Sequence, residues 1–155
     1  MKNVIVISGA TSGIGEGLSK KFINLGWNVV GLARNEYKLK QIERDLGENF
    51  IGIRTDLQKE KDVIKAFDYI KKVYSKINLL VNNAGVFKNE KFINCSFEDI
   101  NSIIDTNLKG TIYSTLKAIE IMIHSGKSGR IINIGSVASI HGIENQSIYC
   151  ASKYG

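Results

Sequence analysis

The sequence predicts an α/β fold, an open and doubly wound parallel sheet, and two observations carry the prediction. Short apolar runs recur five times along the 155 residues, separated by longer runs whose apolar residues keep helical spacing. The first apolar run also passes directly into a turn carrying Gly9, Gly13 and Gly15, and from there into a helical pattern.

The elements follow in order. Val4 to Ser8 reads as a strand buried on both faces, since it is apolar at every position through Ile7. Ile14, Leu18, Phe22 and Leu25 mark a helix that stops at Gly26. Asn28 to Leu32 predicts the second strand, Tyr37 to Leu46 a helix stopped by Gly47, Phe50 to Ile53 the third strand and Asp62 to Tyr74 a third helix. Leu79 to Asn82 supplies the fourth strand. A Ser96 cap then opens a long helix from Phe97 to about Ile123, with Ile100, Ile104, Leu108, Ile112 and Leu116 as its apolar stripe, before a fifth strand at Arg130 to Ile134. Residues 1–155 read as one domain, with no linker, repeat or composition shift, and 3-2-1-4-5 is the natural strand order. In such sheets ligands sit at the carboxyl ends of the strands, by the switch point between strands one and four.

Composition narrows the function classes. The net charge of +6 is scattered over helix faces, as at Lys38, Lys40, Lys59, Lys61, Lys65, Lys71 and Lys72, so no nucleic-acid stripe is expected and the charge serves at most to attract an anionic cofactor. Two cysteines, Cys95 and Cys150, and two histidines, His124 and His141, have no ligand spacing, so neither a disulfide framework nor a metal site is expected. Apolar runs fall short of the ~18 residues of a membrane span, and the first residues lead straight into a strand. A cytoplasmic protein with no membrane partner is the expectation.

The glycine turn Ser8-Gly9-Ala10-Thr11-Ser12-Gly13-Ile14-Gly15 brings backbone N–H groups to a helix start, where a pyrophosphate can sit. Its spacing is G-x-x-x-G-x-G, not the commoner G-x-G-x-x-G, and alone it also suits an ordinary strand-to-helix connection. Near the other end, Ser136 is followed thirteen residues on by Tyr149 and four further by Lys153. On a helix that last spacing puts both side chains on one face. A free phenol titrates at about 10. An ammonium ~5 Å away favours the phenolate by roughly 3 kcal/mol at an effective dielectric of ~20, which makes the tyrosine a candidate acid-base group.

With Asn82-Asn83-Ala84-Gly85 closing the fourth strand, these motifs make the chain resemble the short-chain dehydrogenase/reductase family, in its single-domain branch. The family's T-G-x-x-x-G-x-G is matched from Ser8 to Gly15, with serine in the first place, and its N-N-A-G is unchanged. Its active-site serine matches Ser136, its Y-x-x-x-K matches Tyr149 to Lys153, and its fourth catalytic member, an asparagine, matches Asn107. The resemblance runs the length of the chain and implies a Rossmann-like NAD(P)-binding domain, an oxidoreductase acting on an alcohol or carbonyl, and a homo-oligomer when complete.

By that resemblance, Tyr149 exchanges the proton of the substrate oxygen, Ser136 hydrogen-bonds the same oxygen, Lys153 favours the phenolate and holds the nicotinamide ribose, and Asn107 links Lys153 to a water chain. Cofactor contacts are expected from Gly9, Thr11, Ser12, Gly13, Ile14 and Gly15, from Asn83, Ala84 and Gly85, and from Tyr149 and Lys153. A purely structural turn at Asn82 to Gly85 fits the residues nearly as well. NAD-using relatives carry an acidic residue after the second strand, whereas here Ala33 is followed by Arg34, which favours NADP over NAD through a guanidinium-phosphate pair; an exposed arginine at a helix start is the alternative. Asp56, with Leu57, matches the adenine contact, and a cap or turn role is its alternative.

Complete relatives continue beyond the lysine, with a loop that closes the pocket, while this sequence stops at Gly155. The expectation is therefore of a C-terminally incomplete domain. A non-catalytic nucleotide-binding fragment, or a subunit that borrows a surface from a partner, is the alternative function.

Overall fold

The computed structural model describes residues 2–155. Five parallel strands form one sheet in the order β3-β2-β1-β4-β5. They are β1 (Val4–Ser8), β2 (Asn28–Ala33), β3 (Phe50–Arg54), β4 (Leu79–Asn82) and β5 (Arg130–Asn133). The helices are α1 (Gly13–Asn24), α2 (Glu36–Leu46), α3 (Glu60–Tyr74), α4 (Phe97–Ile104), α5 (Gly110–His124) and α6 (Ser147–Tyr154). The doubly wound prediction holds, with element ends moved by a residue or two.

Alternation along β1 divides the core. Val4 and Val6 face α3 and α5, packing with Val30, Leu80, Phe67, Ile70 and Ala118. Ile5 and Ile7 face the other way, toward Leu39 and Ile42 of α2 and the half-buried Leu18 and Phe22 of α1. Both faces of the central strand are covered, which is why β1 needs no polar residue before Ser8. A fully buried side chain such as Phe67 contributes ~1.5–3 kcal/mol by leaving water.

The long helix expected from Phe97 to Ile123 is interrupted. Residues Asp105–Lys109 form one π-helical turn between α4 and α5. Asn107 lies in this turn with its amide buried, and the extra residue shifts every later position around the axis. Ile112 and Leu116, expected on the buried stripe, are exposed, and the packed face of α5 is Gly110, Ser114, Ala118, Ile121 and Met122. In α1 the expected stripe is also displaced: Ile14 and Leu25 are exposed and Gly15 and Ser19 are buried, because the helix start is pressed against β1 through its smallest residues.

Candidate active site

The site is built at the carboxyl ends of β1, β2, β3 and β4. Gly9 takes φ +67°, a left-handed conformation that a side chain would strain. A Cβ on Gly15 would lie 2.2 Å from the carbonyl oxygen of Gly9 and 2.6 Å from Asn83 Nδ2, so the glycine lets the helix start close onto the turn. Ser12, the residue before α1, makes no side-chain cap bond. The first N–H groups of α1 thus have no cap to satisfy them and can serve an anion.

Two adjoining cavities open at this turn. One, of about 220 Å³, is lined by Gly9, Thr11, Ser12, Arg34, Asp56, Leu57, Ala84, Gly85 and neighbours; the other, of about 230 Å³, by Gly9, Ser12, Gly13, Ile14, Asn83, Ala84 and Gly85. Every residue expected at the cofactor from the four loops lines one of them except Gly15, which packs beneath the turn. Glycines where the backbone must approach, uncapped helix N–H groups and an exposed arginine at the far end suit a pyrophosphate-bridged dinucleotide.

Arg34 is exposed and takes part in no ion pair among the described residues. Asp56 has its turn role as well as its place on the cavity wall: its Oδ1 accepts the Gln58 N–H at 3.2 Å, and Lys59 Nζ lies 3.8 Å from Oδ2. Asn83 is a strut. Its Nδ2 donates to the carbonyls of Ser8 at 2.9 Å and Gly9 at 3.2 Å, tying the β4 exit to the glycine turn. Ser8 completes the joint, its Oγ accepting from the N–H groups of Asn83 and Ala84, each at 3.0 Å.

Beyond Gly85 lie the four residues expected to react. A Cβ on Gly85 would stand 3.4 Å from Asn107 Oδ1 and 3.9 Å from Lys153 Nζ, so the cavity wall runs on into the reactive group. Lys153 Nζ is 6.0 Å from the centroid of the Tyr149 ring and donates to the carbonyl of Ile134 at 2.9 Å. The carbonyl at the end of β5 therefore positions the ammonium. Ser136 Oγ accepts the Ala138 N–H at 3.1 Å, which leaves its own hydroxyl proton to donate. The single 3₁₀ turn that follows, Val137–Ser139, packs on α6.

Asn107 does not bond Lys153 directly. Its Oδ1 accepts the Val86 N–H at 2.8 Å, and its Nδ2 donates to the Val86 carbonyl and to Ser152 Oγ, each at 2.9 Å. Ser152 Oγ in turn donates to the carbonyl of Tyr149 at 2.8 Å. The asparagine is thus the hub joining the β4 loop to α6. Sequence reasoning missed Ser152; a serine inside the Y-x-x-x-K turn was the available signal.

The loop from Val86 to Ser96 is lashed down at two further points. Glu90 N–H donates to the Asn145 carbonyl at 2.9 Å, and Lys88 Nζ bonds Asp99 Oδ2 at 2.7 Å. The Lys88 ammonium, with help from the Ser96 hydroxyl and N–H, holds the Asp99 carboxyl at about 2, while Asp99 raises Lys88. No helix among the described residues is long and apolar enough to cross a membrane.

Comparison with known proteins agrees with this geometry. The sequence model of the short chain dehydrogenase family matches residues 3–155. The chain is 36% identical to carbonyl reductase family member 4 of Danio rerio and 34% identical to the 3-oxoacyl-[acyl-carrier-protein] reductase FabG of Buchnera aphidicola, over 100% and 99% of its length. It spans about 65% and 63% of those two proteins. Among solved structures it superposes on a Burkholderia phymatum short chain dehydrogenase/reductase in complex with NAD, with a TM-score of 0.94 at 30% identity, covering 99% of this chain and 56% of that one. A metagenomic short-chain oxidoreductase in complex with NADP gives 0.93 at 30% identity, over 99% and 71% of the two chains. This chain belongs to the short-chain dehydrogenase family.

Proposed function

We propose that residues 1–155 are the NAD(P)-binding domain of an NADP-dependent oxidoreductase that interconverts an alcohol and a carbonyl. The observation that carries this reading is the continuity at Gly85, whose backbone lines both nucleotide cavities and approaches Lys153 Nζ. A bound nicotinamide would supply or accept the hydride. Tyr149 gives its hydroxyl proton to the substrate oxygen during reduction and takes it back during oxidation. Ser136 donates its free hydroxyl proton to the same oxygen and steadies the charge that develops there. Lys153, held by the Ile134 carbonyl, places its ammonium 6.0 Å from the centre of the tyrosine ring. Asn107 sets the distance between the β4 loop and α6, so its role is to position the site.

The names of the relatives support the carbonyl side of this reading, being those of a carbonyl reductase and a 3-oxoacyl reductase. Support for NADP is Arg34 on the cavity wall, in no ion pair among the described residues, where an acidic residue would repel a phosphate. The test is Tyr149→Phe in the protein that carries this chain. Turnover is expected to fall about 100-fold or more with NADPH affinity unchanged, since a proton donor of this kind contributes ~10²–10⁴. Near-native turnover would remove Tyr149 from the mechanism. Arg34→Asp is expected to turn the preference from NADPH to NADH; unchanged relative affinities would place Arg34 outside the cofactor site.

A further inference from the structure

Phe87 is a large apolar residue whose position the family motifs leave unexplained. It follows the N-N-A-G turn by two residues and is 58% exposed, yet its ring meets the Tyr149 ring edge-on, with centroids 5.6 Å apart and planes at 69°. That is a preferred aromatic arrangement, and it needs both rings held in place. Phe87 is held from both sides along the chain. Before it, Val86 has its N–H and its carbonyl both bonded to the amide of Asn107. After it, Lys88 is bonded to Asp99, and Glu90 is bonded to Asn145 in the segment leading into α6. The same Asn107 amide reaches the backbone of Tyr149 through Ser152. One buried amide therefore fixes both the segment that carries Phe87 and the helix turn that carries Tyr149.

We infer that Phe87 is a positioning residue for Tyr149. Its ring edge is a stop that fixes the tilt of the phenol, while the Lys153 ammonium stands 6.0 Å from the ring centroid. The tyrosine hydroxyl lies at the end of a side chain with two rotatable bonds, so its direction depends on what blocks rotation of the ring. Exposure of Phe87 is consistent with this role, because the ring packs into no core cluster and its contact with Tyr149 is what gives it a defined place. The inference rests on Tyr149 being the acid-base group.

The experiment compares Phe87→Ala, Phe87→Leu, Phe87→Tyr and Tyr149→Phe in the protein that carries this chain, measuring kcat, KM and NADPH affinity. Phe87→Ala is expected to lower kcat by about 10-fold, with KM and cofactor affinity within about 2-fold, because a misdirected proton donor costs rate and not binding. Phe87→Leu should fall nearly as far, and Phe87→Tyr should restore the rate. Adding Phe87→Ala to Tyr149→Phe should cost nothing more, since the stop then has no donor to direct. A rise in KM at constant kcat would mean that Phe87 contacts substrate only, and would overturn the inference. A dead Tyr149→Phe beside a near-native Phe87→Ala would sink the inference and leave the acid-base assignment standing; an active Tyr149→Phe would remove both. A second readout needs no turnover: the Tyr149 ring resonances, identified by their loss in Tyr149→Phe, should move in Phe87→Ala. Unmoved resonances would show that the contact is absent.

Discussion

β1 and β5 are both short, isoleucine-containing strands, and they live in opposite surroundings. Every residue of β1 is buried, with Ile5 and Ile7 fully inaccessible, whereas Arg130, Ile132 and Asn133 of β5 are exposed. Around β1 the structure is set by apolar packing on both faces and by glycines that let the backbone close up. Toward β5 it is set by side-chain amides and an ammonium: Asn82 Nδ2 bonds Asn133 Oδ1 and Thr115 Oγ1, Asn107 bonds Val86 and Ser152, and Lys153 bonds the Ile134 carbonyl. The β1 side is held chiefly by apolar burial. The β5 side is positioned by polar bonds, whose directionality would suit the proposed proton donor.

The largest effect expected breaks the β1 side. Gly15→Ala would drive a Cβ to 2.2 Å from the Gly9 carbonyl, a backbone atom held in the turn, and should cost at least about 3 kcal/mol and abolish cofactor binding. Gly17→Ala, two residues along the same helix, meets nothing within 4 Å and should be neutral or stabilising by up to about 1 kcal/mol. Urea denaturation and cofactor titration of the two variants measure the contrast. Equal effects would show that the turn is not closely packed.

Ser8→Ala cuts the seam between the halves. It removes the hydroxyl that accepts both the Asn83 and Ala84 N–H groups and should cost about 1–3 kcal/mol, the penalty of buried donors left unmade. Stability is expected to fall with cofactor affinity, because the same joint carries Ala84 and Gly85 on the cavity wall. A loss of affinity at constant unfolding free energy would mean that Ser8 touches the cofactor and does not hold the seam.

The two halves were unequally legible in the sequence. Five strands, their order and the glycine turn follow from local pattern, because a strand covered on both faces must be apolar throughout and a turn against a helix start must be glycine. The site residues were legible as types but not as partners. Asn107 was legible as the match to the family's fourth catalytic asparagine, but nothing local told that its amide would join Val86 to Ser152. The α5 stripe misled because an i, i+4 row drifts around a helix, which leaves Ile112 and Leu116 at the surface. The contact of Phe87 with Tyr149 was not legible, because its partner lies 62 residues away and periodicity sees only neighbours.

The smallest effect expected tests whether charge contributes on the polar side. Asp99 closes a capping box with Ser96 at the start of α4 and bonds Lys88 in the loop that carries Phe87. The Lys88 bond, followed by the bonds from Ser96, lowers its carboxyl from 3.8 to about 2 in the folded protein. A carboxyl lowered on folding stabilises the fold while it is ionised, so its contribution is complete above pH ~4 and is lost as the pH falls toward about 2. Lys88 is raised and stays charged throughout that range, so the loss belongs to Asp99 alone. Urea midpoints of the parent and Asp99→Asn should differ by a constant amount from pH 8 down to about 5 and converge between about 4 and 2. Like the parent carboxylate, the variant's amide oxygen can accept from Ser96, so the cap is common to both and the difference that vanishes with pH is the charge. A difference that stayed constant down to pH 2 would mean that the loop is held without the Lys88–Asp99 pair, and that the polar half owes its geometry to the Asn107 amide and the backbone bridge from Glu90 to Asn145.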